Sequence, residues 1–323
     1  MPELAASTLR AAVVYNPVKV SLQQLRDVVE DEELRRGWLP SLWFATTTDD
    51  AGQGRAHDAV SASPDLIIVA GGDGTVRVVA EVVHGTGIPL AIVPSGTGNL
   101  LARNLHLPLG DITAAVRVAF GAHARAIDVA IVTLERVDGS SSTHAFVVMA
   151  GIGIDATMAI NTSSALKRRI GWLAYVDPIV RSIFSRTQHA LNVSLDGAPW
   201  RSIDAHTVIV GNTGTLTAGI VLLPEAVPDD GLLDVVVLRP KGPGGWARIA
   251  SRLAIGGVLS RSPGGRKVLR AAPTFRALRY AQSRELAVRF AEPQQMELDG
   301  DGVGAVIAAT ITVRPGALPV RVR

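Results

Sequence analysis

A strand that runs straight into a glycine loop and on into a helix occurs twice in succession in this chain. The apolar run LIIVA at 66–70 empties into GGDGT at 71–75 and a helical stretch at 76–83, and the apolar run at 88–93 feeds SGTGN at 95–99 and a second helical segment at 100–104. Strands that alternate with helices over short connections form a parallel sheet, and ligands of such sheets sit beyond the carboxyl ends of the strands. Glycines with free backbone N–H groups at a helix start also make an anion site, because the dipole and the unpaired amides both favour phosphate. Two such loops side by side point to a polyphosphate. Neither matches GxGxxG or the GK[ST] ending of a P-loop, and glycine in a single loop would serve equally as a tight turn. Asp73 shifts the balance. A carboxylate repels phosphate unless it holds a metal or bonds to loop backbone, so its presence predicts a Mg-nucleotide site.

The surrounding pattern fits an α/β domain. A strand at 11–15 ends at Asn16 and Pro17, Ser21 and Gln24 form a capping box for a helix at 22–36, and Gly37 closes it. A strand at 39–45 follows and stops at Thr46, and 56–61 is the tail of the next helix. Beyond Asp128 the rhythm changes to strand-like runs at 129–136, 145–149, 190–195, 207–210 and 233–238, interrupted by one helical interval at 165–185. Final strands at 285–291, 295–298 and 305–313 are expected to bring the chain back to the inter-domain cleft. The expected division is an α/β nucleotide-binding domain at 1–128 and a β-rich domain at 129–323.

Of the 323 residues 47% are hydrophobic, enough for substantial cores, and none is cysteine, which excludes disulfides, a thiol nucleophile and Cys-based metal sites. No signal-peptide pattern or membrane-length apolar run is seen, so a cytoplasmic location is expected, with room for peripheral attachment at the inner face of the membrane. The net charge of +3 hides an asymmetry: the segment 239–284 holds Lys and Arg but no Asp or Glu, which leaves the remainder acidic. Within it, 246–255 reads as an amphipathic helix with Arg248 and Arg252 one turn apart. A basic face with Trp246 and aliphatics suits an anionic membrane surface. Nucleic acid is not expected, since few aromatics could stack and no nucleic-acid motif occurs.

The runs GGDGT at 71–75, SGTGNLLARNL at 95–105, AGIGIDA at 150–156, PDDGLLDV at 228–235 and LDGD at 298–301 occur in this order, and together they resemble the diacylglycerol kinase catalytic-domain family of bacterial lipid kinases. The resemblance spans nearly the whole chain. It implies an NAD-kinase-like fold, with an N-terminal α/β nucleotide-binding domain and a C-terminal β-sandwich domain, and transfer of a phosphoryl group from ATP to a lipid hydroxyl. It leaves room for a homodimer.

Carried over by residue, the nucleotide site falls on Gly71, Gly72, Asp73, Gly74, Thr75, Val76 and Arg77, on Gly96 and Thr97, and on Thr46 or Thr47. Asp73 would organise phosphates and magnesium, and Asp299 would take the proton of the lipid hydroxyl. A structural magnesium ion is implied at the Asp230 carboxylate and the carbonyls of Val227 and Leu232. Three departures from the pattern stand out: Arg77 and Val78 where many members carry Asn-Glu, Leu100 where Asp is frequent, and Asn16-Pro17-Val18-Lys19-Val20 in place of an Asn-Pro-x-Ser-Gly start. A kinase acting on a soluble substrate such as NAD, and a nucleotide- or lipid-binding protein without catalysis, remain the alternatives.

Overall fold

The computed structural model describes residues 8–153, 189–239 and 278–323. The helices expected at 165–185 and 246–255, with most of the basic block, lie outside the described residues. The chain forms two compact units, Met1–Ile127 with Gly316–Arg323, and Asp128–Pro315.

In the first unit, β1 (Arg10–Tyr15), α1 (Leu22–Arg36), β2 (Leu39–Ala45), α2 (Gln53–Ser61), β3 (Leu66–Gly71), α3 (Asp73–Val83) and β4 (Leu90–Pro94) alternate, followed by α4 (Leu100–Asn104) and α5 (Ile112–Ala119). The strands pair in parallel in the order β2, β1, β3, β4. β3 is buried along its whole length, as a parallel strand covered on both faces must be. Its side chains meet those of β1, α1 and α5 in a core that includes Val13, Leu25, Val29, Ile68, Val116 and Phe120. Ser21 Oγ accepts the Gln24 N–H at the start of α1, and Gly37, at φ 69°, closes it. Helix α5 has its own signal, since the Asp111 carboxylate accepts the Ala114 N–H at 2.9 Å.

The second unit is built on antiparallel pairs. Its strands are β5 (Ala124–Glu135), β6 (Ser141–Phe146), β7 (Met149–Ile152), β8 (His189–Leu195), β9 (Arg201–Ala205), β10 (Thr207–Gly211), β11 (Leu233–Leu238), β12 (Leu278–Ser283), β13 (Glu285–Leu298) and β14 (Asp301–Arg321). β5 starts, and β14 ends, within residues of the first unit. β7 lies between β10 and β13, while β13 also pairs with β8 and β14. Phe146, Ile152, Val208, Leu233, Met296 and Ile311 belong to its core.

Three expectations change. The single strand expected at 145–149 is two, β6 and β7, separated by a bend at 147–148. The separate strands expected at 285–291 and 295–298 are one, because Pro293 sits where the register shifts between Arg289 and Gln294 and a bulge absorbs the missing N–H. Helix α3 begins at Asp73, three residues before the expected start, so the acidic residue lies in its first turn.

One buried titratable group lies between two strands. Asp234 of β11 is 4% exposed and faces Gln282 of β12, whose amide donates to both carboxylate oxygens at 3.3 and 3.4 Å. Burial pushes its carboxyl up to about 6 against the Gln282 bond, and the charges of Asp230 and Glu225 add to the rise. A carboxyl whose folded value exceeds its unfolded value stabilises least when ionised, so stability should fall as pH rises from about 4 to about 6 and then level off. In chelator-treated protein, Asp234→Asn should remove this slope and raise stability above pH 7 by on the order of 1–3 kcal/mol, read from urea unfolding across pH. An unchanged slope would refute the assignment.

Candidate active site

The two glycine loops touch. A Cβ placed on Gly96 would lie 2.7 Å from the Gly72 Cα, and one on Gly71 would lie 2.8 Å from the Thr75 Cβ. Only glycine allows this approach. The pairing of β3 with β4 carries into the loops, where the Ser95 N–H donates to the Gly71 carbonyl at 2.8 Å.

Asp73 binds the two loops together. Its Oδ2 accepts the Asn99 N–H at 2.7 Å and its Oδ1 accepts the Leu100 N–H at 2.5 Å, so the first residue of α3 caps α4. Asn99 itself sits at φ 49° and makes a two-way bond to Gly96, its Oδ1 accepting the Gly96 N–H and its Nδ2 donating to the Gly96 carbonyl. Arg103 Nε donates to the Gly98 carbonyl at 2.6 Å. Burial raises the Asp73 carboxyl above its ordinary value, against the opposing pull of the Leu100 and Asn99 amides and the Arg103 charge. Sequence reasoning assigns this carboxylate to phosphates and magnesium; here it braces the second loop. The first turn of α3 keeps N–H groups that helix geometry leaves without intrahelical partners, and these are the amides suited to an anion.

The other expected nucleotide residues fall into two groups. Thr75 and Val76 are buried in the first turn of α3, and the Val76 N–H donates to the Gly72 carbonyl. Thr46 is buried at the end of β2, its methyl 3.3 Å from where a Gly52 Cβ would stand, with the Thr75 methyl 3.8 Å from the same point. Thr47 is exposed and accepts the Asp50 N–H. Arg77 pairs with Glu81 at 3.2 Å along α3, and Thr97 is exposed in the second loop. Asn99 and Arg103 are the residues that sequence reasoning passed over, although an Asn before a short helix followed by Arg is a visible pattern.

Asp299 lies in the second unit. Leu298 pairs with Asp301, so Asp299 and Gly300, at φ 50° and 92°, form the two-residue turn between β13 and β14. The Asp299 side chain is buried against the bend at 147–148. Its Oδ2 accepts the Val147 N–H at 3.0 Å, and its Oδ1 accepts those of Val148 and Met149 at 2.9 and 2.8 Å. It is therefore both a turn residue and a carboxylate held in one orientation by three amides.

In the loop expected to hold magnesium, Asp230 is exposed and its Oδ1 accepts the Leu232 N–H at 3.0 Å. The neighbouring Gly231 N–H donates to the buried Asp128 at 2.7 Å, and the Asp128 N–H donates to the Pro228 carbonyl. Burial raises the Asp230 carboxyl despite the Leu232 bond, and the charges of Asp128 and Asp229 raise it further. Among the described residues no group of three or more His, Asp or Glu side chains is arranged to hold a metal. The donors present are the Asp230 carboxylate and backbone carbonyls, beside the carboxylates of Asp128 and Asp229. Such a set fits a magnesium ion that keeps much of its water.

The fold is shared with kinases of the NAD-kinase type. It superposes on a crystal structure of a diacylglycerol kinase from Bacillus anthracis with a TM-score of 0.71 at 21% identity, covering 97% of each chain. It also superposes on yeast NADH kinase with a TM-score of 0.52 at 11% identity, over 98% of this chain and 84% of the other. The diacylglycerol kinase catalytic domain model matches residues 10–132, and the YegS C-terminal NAD kinase beta sandwich-like domain model matches 146–322. A lipid kinase YegS-like protein of Pseudomonas syringae pv. tomato is 33% identical over 236 residues, 72% of each chain. A diacylglycerol kinase of Bacillus subtilis is 26% identical over 300 residues, 90% of this chain and 89% of its own. The chain belongs to this diacylglycerol kinase catalytic-domain family of lipid kinases.

The contact between the loops yields a direct test. Gly96→Ala should force the loops apart, cost about 1–3 kcal/mol as overpacking does, and weaken nucleotide binding. Gly302→Ala, where a Cβ would meet nothing within 4 Å, should stay within about 0.5 kcal/mol. Equal urea midpoints for the two variants would show that the loops tolerate separation.

Proposed function

We propose that the chain transfers the γ-phosphoryl group of Mg-ATP to the hydroxyl of diacylglycerol or a related lipid alcohol. The observation that carries this reading is the start of α3, where backbone amides are presented beside two loops locked together by Asp73, Gly72 and Gly96. Phosphoryl transfer asks the protein mainly for an amide cradle, charge neutralisation and an aligned nucleophile. Gly71 to Arg77 with Gly96 and Thr97 would receive the phosphates, and Thr46 would border the nucleotide.

Asp299 is the proposed proton acceptor. The lipid oxygen forms a bond to the γ-phosphorus as the bond to the leaving ADP oxygen breaks, and the hydroxyl proton passes to the carboxylate. Three amide bonds fix the direction of that carboxylate, which suits orientation of the hydroxyl; general-base help of this kind is typically worth ~10²–10⁴-fold. Magnesium bound with the nucleotide would spread the charge on the phosphates, and Asp230 with the Val227 and Leu232 carbonyls would hold a structural magnesium ion. No helix among the described residues is long and apolar enough to cross a membrane. The proposed contact with lipid is peripheral, through the basic block at 239–284 on an anionic surface.

With γ-labelled ATP and Mg²⁺, label should pass to one lipid in a mixed-micelle panel and not to NAD. Asp299→Asn should lower transfer by about 10²–10⁴-fold while leaving ATP binding and the circular dichroism spectrum intact. Label in NAD alone, or undiminished transfer by Asp299→Asn, would refute the corresponding part of the proposal. Neutralising Arg248, Arg252 and Arg266 together should weaken binding to anionic vesicles by roughly 100-fold, from about 1 kcal/mol per basic residue. Unchanged vesicle binding in a flotation assay would end the membrane role of this block.

A further inference from the structure

The bend at 147–148 that holds Asp299 is itself held from its other side. The amides of Val147, Val148 and Met149 all point to the Asp299 carboxylate, and the Asp299 N–H returns to the Met149 carbonyl at 2.8 Å. The carbonyls of the bend go to the segment just beyond β10. The Val148 carbonyl accepts the backbone N–H groups of Asn212 and Thr213 at 2.9 and 3.2 Å, and the Asn212 Nδ2 reaches the Val147 carbonyl at 3.5 Å and the Asp128 carbonyl at 2.7 Å. Both contacts of Nδ2 are to carbonyl oxygens. This fixes the orientation of the amide group, since the flipped side chain would set oxygen against oxygen.

Asn212 is an expensive residue for a purely structural position. It is 1% exposed, and its Oδ1 has no protein hydrogen-bond partner among the described residues. A buried acceptor left unpaired carries the full cost of its desolvation, which an apolar side chain of similar size would avoid. What an apolar side chain could not supply is the pair of N–H donors that tie the bend to β5.

We propose that Asn212 is a positioning residue for Asp299: its Nδ2, shared between the Asp128 and Val147 carbonyls, ties the 147–148 bend to β5 and so fixes the amides that aim the Asp299 carboxylate at the acceptor hydroxyl. The inference rests on the assignment of Asp299 as proton acceptor. Displacement of a reacting group by about 1 Å can cost about 10²-fold in rate, so loss of the clamp should appear in kcat and leave the nucleotide site alone.

The test is a double-mutant cycle on Asn212→Ala and Asp299→Asn in the full chain, with γ-labelled ATP, diacylglycerol in mixed micelles and Mg²⁺. Asn212→Ala should lower kcat by about 10- to 100-fold with KM for ATP within about twofold, and should have no further effect on kcat in the Asp299→Asn background. Asn212→Ser, which keeps one donor, should retain more activity than Asn212→Ala, and it carries the same cycle if the alanine variant does not fold. A fall in kcat that multiplies with that of Asp299→Asn, or a rise in KM for ATP with kcat unchanged, would overturn the positioning role while leaving Asp299 in place. Full turnover by Asp299→Asn alone would overturn both assignments.

Discussion

The bond between the Asp73 carboxylate and the amides of Asn99 and Leu100 holds the first unit's site in shape. It ties the start of α3 to the start of α4 across two loops that are distant in sequence. The approach of Gly72 to Gly96 is so close that a Cβ on Gly96 would lie 2.7 Å from the Gly72 Cα, and one on Gly72 would be tight at 3.3 Å from the Gly96 Cα. A short helix such as α4 has little stability of its own, so its first amides need an acceptor, and Asp73 supplies one from a neighbouring element. The cost is visible in the raised Asp73 carboxyl, for which burial outweighs the bonds it receives. The division of labour that results is simple. One helix start is consumed in bracing, and the other keeps first-turn amides without intrahelical partners.

Much of this was legible in the residues. The repeat of strand, glycine loop and helix marked β3, α3, β4 and α4 because fully buried parallel strands read as uninterrupted apolar runs and glycines mark close approach. The order of motifs likewise carried the fold and the kinase family. Which backbone Asp73 would bind was not legible, since its partners are amides 26 and 27 residues away and nothing about Asn99 or Leu100 as residue types reveals them. Strands β9 and β12 were missed for another reason: RSIDA and LRYAQS carry too few apolar positions for a period to stand out. Pro293 misled in the opposite direction, suggesting a break where a bulge keeps one strand running.

Asp299 serves a turn and a buried hydrogen-bond network at once. An aspartate before glycine suits a tight hairpin turn, and the positive φ of both residues is that turn. The same geometry delivers the carboxylate into a buried bend where three amides converge on it. Local turn chemistry thus sets the backbone, and contacts with the 147–148 bend and the start of β7, some 150 positions earlier, set the side chain. Residues such as Asn212, which act on backbone rather than on substrate, leave no motif by which to find them.

The route of β14 bears on how the protein is made. The strand alongside β4 comes from its far end, where Val320 pairs with Leu90, and the Ala317 carbonyl and Val322 N–H join Gly85 and His123. During synthesis the first unit emerges early, yet β4 keeps an unpaired edge until the residues near 320 have left the ribosome. A sheet edge open for that long is a template for pairing with other chains. Completion of the first unit is therefore tied to completion of the second, so a prematurely terminated chain would present an unfinished sheet instead of a free-standing domain.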